Sequence, residues 1–344
     1  MQRAVLIGAV AGLGACLASV IGMVLPVGSA LSDRVRNEYR RPAEIPYPAD
    51  NAYSPAKHQL GELLFFDPIL SGSQSRSCAS CHDPSLSWGD GRARAVGENQ
   101  TVLPLRSPTL LNVAWVPRLG WDGHFRDLES VAFGPILSAN NMNNTEASVL
   151  GRLSASPRYV EAFTAAFGDG EITRRKIELA LATYERSIVS GEAPFDRWIN
   201  GDETAIGESA KRGFAIFSGK AHCTGCHNGW AFSDSSFHDI GSARDNDVGR
   251  GRLFPSSKKL RYAFKTPTLR DVGKRAPFMH DGSVATLSEV IDLYNRGGVV
   301  RESRSSLIFP LHLSDGEKAD LIAFLNALTS TEPAAHPSRL SLNR

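Results

Sequence analysis

Charge is absent from residues 4–31 (AVLIGAVAGLGACLASVIGMVLPVGSAL). That length suffices to span a membrane, although its glycines weaken the helix and Pro26 is placed to end it. Gly28-Ser29-Ala30 offers a small-residue cleavage site, and Leu13-Gly14-Ala15-Cys16 resembles a lipoprotein processing box. An export signal or membrane anchor over 1–31 sends the remaining chain to the periplasm, soluble or held at the inner membrane. Long runs of Lys or Arg are also missing. With a formal net charge of +2, nucleic acid is excluded as a partner. Strand-type alternation is scarce, which leaves a mostly α chain with much loop.

Cysteine is sparse too: five in 344 residues. Cys16 belongs to the export segment. The other four form two pairs, Cys78/Cys81 and Cys223/Cys226, followed directly by His82 and His227. C-x-x-C-H is the attachment motif of c-type haem. Its two thiols add to the vinyl groups on one porphyrin edge, and the adjacent His becomes the proximal iron ligand. Two redox disulfides or one four-Cys zinc site would use the same thiols. Zinc pairs usually lie about 15–20 residues apart, and neither alternative explains a His after both pairs. Two covalently bound c-type haems are therefore expected.

The chain also repeats itself. "RSPTLLNVAWVPRLGWDGHF" (106–125) aligns without a gap to "KTPTLRDVGKRAPFMHDGSV" (265–284), with Trp121 opposite His280. Each haem motif follows an apolar-faced helix, and LESVAFGPIL aligns with LSEVIDLYNRGG as a helix after each repeat. A final helix carries the capping box Ser314-x-x-Glu317. The reading is two haem domains related by internal duplication, over 46–200 and 201–330. Residues 32–45 read as a linker and 331–344 as a loose tail.

Two C-x-x-C-H motifs, "SPTLLNVA", "GWDG", "FKTPTLRDV" and "APFMHDGS" in this order resemble the bacterial di-haem cytochrome c peroxidase superfamily. That resemblance implies two cytochrome c-like domains. Hydrogen peroxide would react at the N-terminal haem, and the C-terminal haem would handle electrons. The partner implied is an electron-donor cytochrome or a protein substrate.

The repeat itself speaks to the sixth iron ligand. Fourteen residues after His280 stands Tyr294, and fourteen after Trp121 stands Pro135. A tyrosine oxygen binds iron; proline does not. The second haem is thus expected to be His227/Tyr294, and the first to keep one face open above His82. Met279 is a competing ligand off the matched position. Family members with Tyr at this place are similar to the MauG-like branch, and a phenolate favours ferric iron. Relatives that close the first haem use a second His, but Asp83 to Gly123 contains none. His124, where relatives usually carry Arg, faces either the haem or the surface. The resemblance makes Trp121 the indole between the haems, beside its packing role in the "WDG" turn.

Two family positions for O–O cleavage hold Asn141 and Val131, which cannot move a proton. His124, Glu146 or a bound water would have to substitute. The family's calcium site is altered as well. Arg106 replaces an Asn ligand, a carbonyl ligand falls at Arg275, and Pro277 is kept; a guanidinium there could take the ion's place. Arg270 and Lys265 are expected to meet haem propionates. His238 is expected to be structural.

Overall fold

The computed structural model describes residues 31–331. The proposed export segment up to residue 30 and the tail from 332 lie outside the described residues. Among the described residues, no helix is long and apolar enough to cross a membrane.

The helices run α1 Asp33–Tyr39, α2 Pro55–Phe66, α3 Leu128–Val131, α4 Phe133–Leu137, α5 Glu146–Ser154 and α6 Pro157–Phe167. They continue with α7 Arg174–Arg186, α8 Pro194–Ile199, α9 Glu208–Ser218, α10 Leu287–Arg296 and α11 Asp315–Ala327. Among the described residues, strands are confined to β1 Phe237–His238 and β2 Phe264–Lys265, paired antiparallel. Local chemistry sets the boundaries. Ser54 accepts from Lys57 N–H ahead of Pro55, and Thr286/Glu289 and Ser314/Glu317 form capping boxes. The mostly α expectation holds.

Two large apolar cores form beside a small cluster of Val113, Leu119, Leu128 and Ala182. Leu64, Phe65, Val149, Phe163 and Ile177 build one, whereas Phe195, Phe214, Phe232, Leu321 and Phe324 build the other. The expected partition needs two corrections. Residues 32–45 are no plain linker: α1 buries Tyr39 in the second core, 5.1–5.9 Å from the rings of Phe195, Phe214 and Phe232. Arg36 fastens α1 through the carbonyls of Trp198 and Ile199, at 3.0 and 2.8 Å. One aromatic among charged residues gives no readable period, so the docking was invisible in sequence. The boundary at 200 also falls late, because Phe195, Trp198 and Ile199 of α8 already belong to the second core.

The duplication extends to backbone detail. Leu119 bridges Phe125 as Phe278 bridges Val284. Left-handed residues recur at Asn112 (φ 64°) and Asp271 (φ 55°), and at Gly120 (φ 81°) and Met279 (φ 71°). Thr109 Oγ1 donates to the Ser87 carbonyl and Thr268 Oγ1 to that of Ala231, both at 2.6 Å. Ser190 N–H reaches Asn112 Oδ1 at 3.0 Å, and Ser330 N–H reaches Asp271 Oδ1 at 2.6 Å. Each turn is thereby tied to the end of its own long helix, α7 or α11.

Those helices cross α2 and α9 at glycine. A Cβ on Gly61 would lie 2.0 Å from the Ala180 carbonyl oxygen, and one on Gly213 would lie 2.0 Å from that of Asp320. Gly213→Ala is expected to cost about 1–3 kcal/mol by overpacking, read as a lowered denaturant midpoint. Gly151 is the control: nothing lies within 4 Å of its Cβ position in α5. Gly151→Ala is expected to gain about 0.5–1 kcal/mol.

The repeats meet reciprocally. Arg106 N–H donates to the His280 carbonyl at 3.0 Å, and Lys265 N–H donates to the Trp121 carbonyl at 2.8 Å. Arg106 and Lys265 are repeat equivalents, and so are Trp121 and His280. The interface is therefore a local two-fold. At its centre, the Trp121 and His280 rings sit 6.4 Å apart at 70°.

Candidate di-haem site

Both C-x-x-C-H motifs begin as a short 3₁₀ turn, Cys78–Ser80 and Cys223–Gly225, which brings the following His back beside the thiols. His82 Nδ1 lies 3.3 Å from the Trp88 carbonyl, and His227 Nδ1 lies 2.9 Å from that of Phe232. A carbonyl accepts only, so each Nδ1 carries the proton and each Nε2 keeps a lone pair. Burial lowers the pKa of both imidazoles and keeps them neutral. This is the donor state a haem iron requires.

The four described cysteines, Cys78, Cys81, Cys223 and Cys226, are free, which removes the two-disulfide reading. The zinc reading fails as well. Among the described residues, the only metal-capable group of three lying within 4.8 Å is Cys226, Asp234 and His238. Outside Cys226, that group is an ion pair of 2.8 Å between His238 Nε2 and Asp234. His238 is thereby structural, its pKa raised to about 9 chiefly by Asp234.

A cavity of about 400 Å³ opens over the second motif, lined by Cys223, Cys226, His227, Met279 and Tyr294. Its size falls within the range of cofactor sites. α10 delivers Tyr294 to its wall, half-buried. Burial, with Cys223 and Cys226 adding, raises the pKa of this phenol. Only a cation within the cavity would reverse that, as an iron does. Trp121 lines the same cavity, its indole N–H held by the Arg106 carbonyl at 2.9 Å. Trp115 and Trp230 also line it and pack edge to face at 4.8 Å.

Cys81 does not line this cavity, although its repeat equivalent Cys226 does, and Cys78 and His82 are likewise outside it. The two thiols of the first pair also differ from each other. Cys78 packs against the first core, whose burial and the charge of Glu185 push its thiol pKa up. Cys81 closes the turn with its N–H on the Cys78 carbonyl at 3.1 Å and stays half-buried, outside that core. Neither thiol of the first pair reaches this cavity. The reason is the position of the cavity: it follows the seam between the repeats and ends against the second core. The role of Cys81 as a haem thiol consequently stands on the C-x-x-C-H spacing.

The place equivalent to Tyr294 differs too. α10 is continuous, whereas its counterpart splits into α3 and α4 at Ala132. Pro135 causes the split: it has no N–H for the Val131 carbonyl and its ring crowds that turn. Pro135 is half-buried in α4.

Other expected residues lie elsewhere. Arg270 does not line the cavity. Its guanidinium is fully buried behind the wall, with Nε on the Trp230 carbonyl at 2.7 Å and Nη1 2.7 Å from Asp196. That ion contact lacks hydrogen-bond alignment. A permanent positive charge this deep takes Asp196 as an internal counter-ion, while Nη1 and Nη2 keep no hydrogen-bond partner among the described residues. Lys265 does line the cavity, but its Nζ turns to the Arg118 carbonyl at 3.0 Å. Burial lowers its pKa to about 8, with Asp122 opposing.

The substitute acids fare poorly. His124 is exposed and bound to Asp122 at 2.5 Å, and Glu146 pairs with Arg174 at 3.1 Å on the surface. His124 thus resolves to its surface alternative. The buried carboxyl that sequence reading missed is Glu185. Its signal lay in a second, ungapped alignment, "LATYERSI" (181–188) on "LIAFLNAL" (321–328). Where the calcium of relatives was expected, Arg106 Nη2 donates to the Arg275 carbonyl at 3.1 Å. A cation now occupies the carbonyl a metal would need, so these residues do not fit the ion.

Comparison with known proteins agrees with this geometry. Residues 55–204 match the family described as di-haem cytochrome c peroxidase. The methylamine utilization protein MauG of Methylorubrum extorquens is 50% identical over 303 residues, covering 88% of this chain and 86% of the relative. MauG of Methylophilus methylotrophus is 44% identical over 317 residues, with 91% and 94% covered. Among solved structures, a MauG-like protein associated with microbial copper homeostasis superposes at TM-score 0.80 with 30% identity, covering 88% of this chain and 97% of that one. With half of its residues shared with a MauG across most of both lengths, the chain belongs to the di-haem cytochrome c peroxidase family as a MauG-like oxidoreductase.

Proposed function

We propose that the protein uses hydrogen peroxide at an open haem on His82 and oxidises a partner protein from a second haem on His227 and Tyr294. The observation that carries this is the contrast of Tyr294 with Pro135 at one repeat position. Cys78/Cys81 and Cys223/Cys226 would hold the two haems covalently, and these supply the redox chemistry when bound. His82 and His227 are oriented by the carbonyls that fix their tautomers. Pro135 places no ligand atom over the first site, which leaves room for peroxide. Tyr294 places an anionic oxygen over the second, a ligand that disfavours reduction to the ferrous state. Trp121 is held rigidly between the halves, where an indole can pass oxidising equivalents. Arg106 supplies the positive charge between the domains without calcium. The charge-free N-terminal segment supports a periplasmic setting.

The test sets peroxide-driven turnover with a reduced small cytochrome against turnover with a candidate partner protein. The partner is expected to react at least about tenfold faster, some 1.4 kcal/mol of barrier. Faster oxidation of the cytochrome would reverse the choice.

A further inference from the structure

O–O cleavage needs a group that carries a proton from one peroxide oxygen to the other. Asn141 cannot do this, and His124 and Glu146 are committed to surface ion pairs. Glu185, near the end of α7, is different: it is 8% exposed, and no described protein group bonds its carboxylate. Arg186, next to it, is spent on Glu129 of α3 in a two-point contact of 2.7 and 2.9 Å. The repeat equivalent of Glu185 is Leu325, which with Leu321 lines the cavity over the second haem motif. Leu325 packs in one core with Ile291, on the helix that carries Tyr294. The equivalent of Ile291 is Ala132, at the break that Pro135 makes. Glu185 thus holds the repeat position at which the second half places a cavity-lining leucine.

We propose that Glu185 is the proton carrier of the open pocket. As the O–O bond parts, its electron pair leaves with the outer oxygen, which takes the Glu185 proton and departs as water. The proton of the inner oxygen returns to the Glu185 carboxylate, and the two electrons that this oxygen lacks come from the haem pair. Burial, against Arg186 and with Glu129, raises the Glu185 pKa to about 8, so the acid holds its proton at neutral pH. The titratable groups around it are Arg186 and Tyr184 on α7, Glu129 on α3, and Cys78 of the first haem motif.

The proposal rests on the open first haem, which the ferric holoprotein's high-spin signal checks separately. Infrared spectra of that holoprotein at pH 7 are expected to show a protonated carboxylic acid band that Glu185→Gln removes. In stopped flow, the peroxide step is expected to slow about 10²–10⁴-fold in the variant. The wild-type decline above about pH 8 should vanish with it, and Glu185→Asp should restore part of the rate. Glu185→Leu, which copies the second repeat, guards against a folding artefact and should be as slow as the Gln variant. Glu146→Gln should react as wild type does. An unchanged peroxide rate and pH profile in both the Gln and Leu variants, with the high-spin signal present, would overturn the role of Glu185. Absence of that signal in wild type would overturn the open haem beneath it.

Discussion

Tyr294→Phe is expected to leave both haems with one protein ligand, so the ferric low-spin signal disappears while the high-spin signal doubles. Peroxide-driven oxidation of a partner protein should fall about 100-fold, or 2.7 kcal/mol of barrier. The reasoning is local. Tyr294 lines the cavity with His227 and both attachment cysteines, and no other described phenol does. Removing one oxygen leaves the ring, and hence the packing of α10, in place. What would go is the anionic ligand proposed to make higher oxidation states accessible at the second iron. The first haem, proposed to be open, should keep its reaction with peroxide, so the loss should appear in sharing and onward transfer. Tyr53→Phe, at an exposed phenol on the far core, is the control and should change neither spectrum nor rate. A low-spin signal that survives in Tyr294→Phe would transfer the ligand role to Met279, which lines the same cavity.

Much of this site was legible because a duplicated chain compares itself with itself. The offset that puts Trp121 on His280 also puts Pro135 on Tyr294, and both pairs take equivalent backbone positions. The attachment motif was legible for a different reason: C-x-x-C-H is local chemistry, complete within five residues. Local spacing does not fix the walls of a pocket, however, and Cys81 and Cys226 share a motif position without sharing the cavity. The rest that stayed hidden depends on contacts far apart in the chain. The ion contact of Arg270 could not be read locally, because Asp196, 2.7 Å from its Nη1, is many residues away in the chain. Tyr39 docks α1 on the second core through rings contributed by three separate segments. Glu185 was passed over because in its own helix it reads as one more charge. Only alignment with Leu325 shows a carboxylate at an apolar position. The resemblance showed that the proton-moving position holds Asn141 but did not show what replaces it.

Asp196→Ala is expected to cost about 3–5 kcal/mol, the usual penalty for stranding a buried charge. Asp196 is 2% exposed and stands 2.7 Å from the Nη1 of Arg270, which is wholly buried. Burial lowers the pKa of that guanidinium while Asp196 opposes the shift, yet arginine does not give up its proton in proteins. Without the carboxylate, the charge keeps the Trp230 carbonyl at 2.7 Å, the faces of Phe232 and Trp230 at 5.3 and 6.0 Å, and the weaker pull of Asp271. The same carboxylate accepts from the Ala193 N–H at 2.8 Å at the start of α8, so the entry to the second core loosens as well. The remedy distinguishes charge from packing. Asp196→Ala with Arg270→Met should regain most of the loss, because an apolar pair of similar volume needs no counter-ion. Urea midpoints of the holoprotein read both. A double variant weaker than Asp196→Ala alone would mean that Arg270 is held by its carbonyl and ring contacts instead, and that the ion pair contributes little to the second domain.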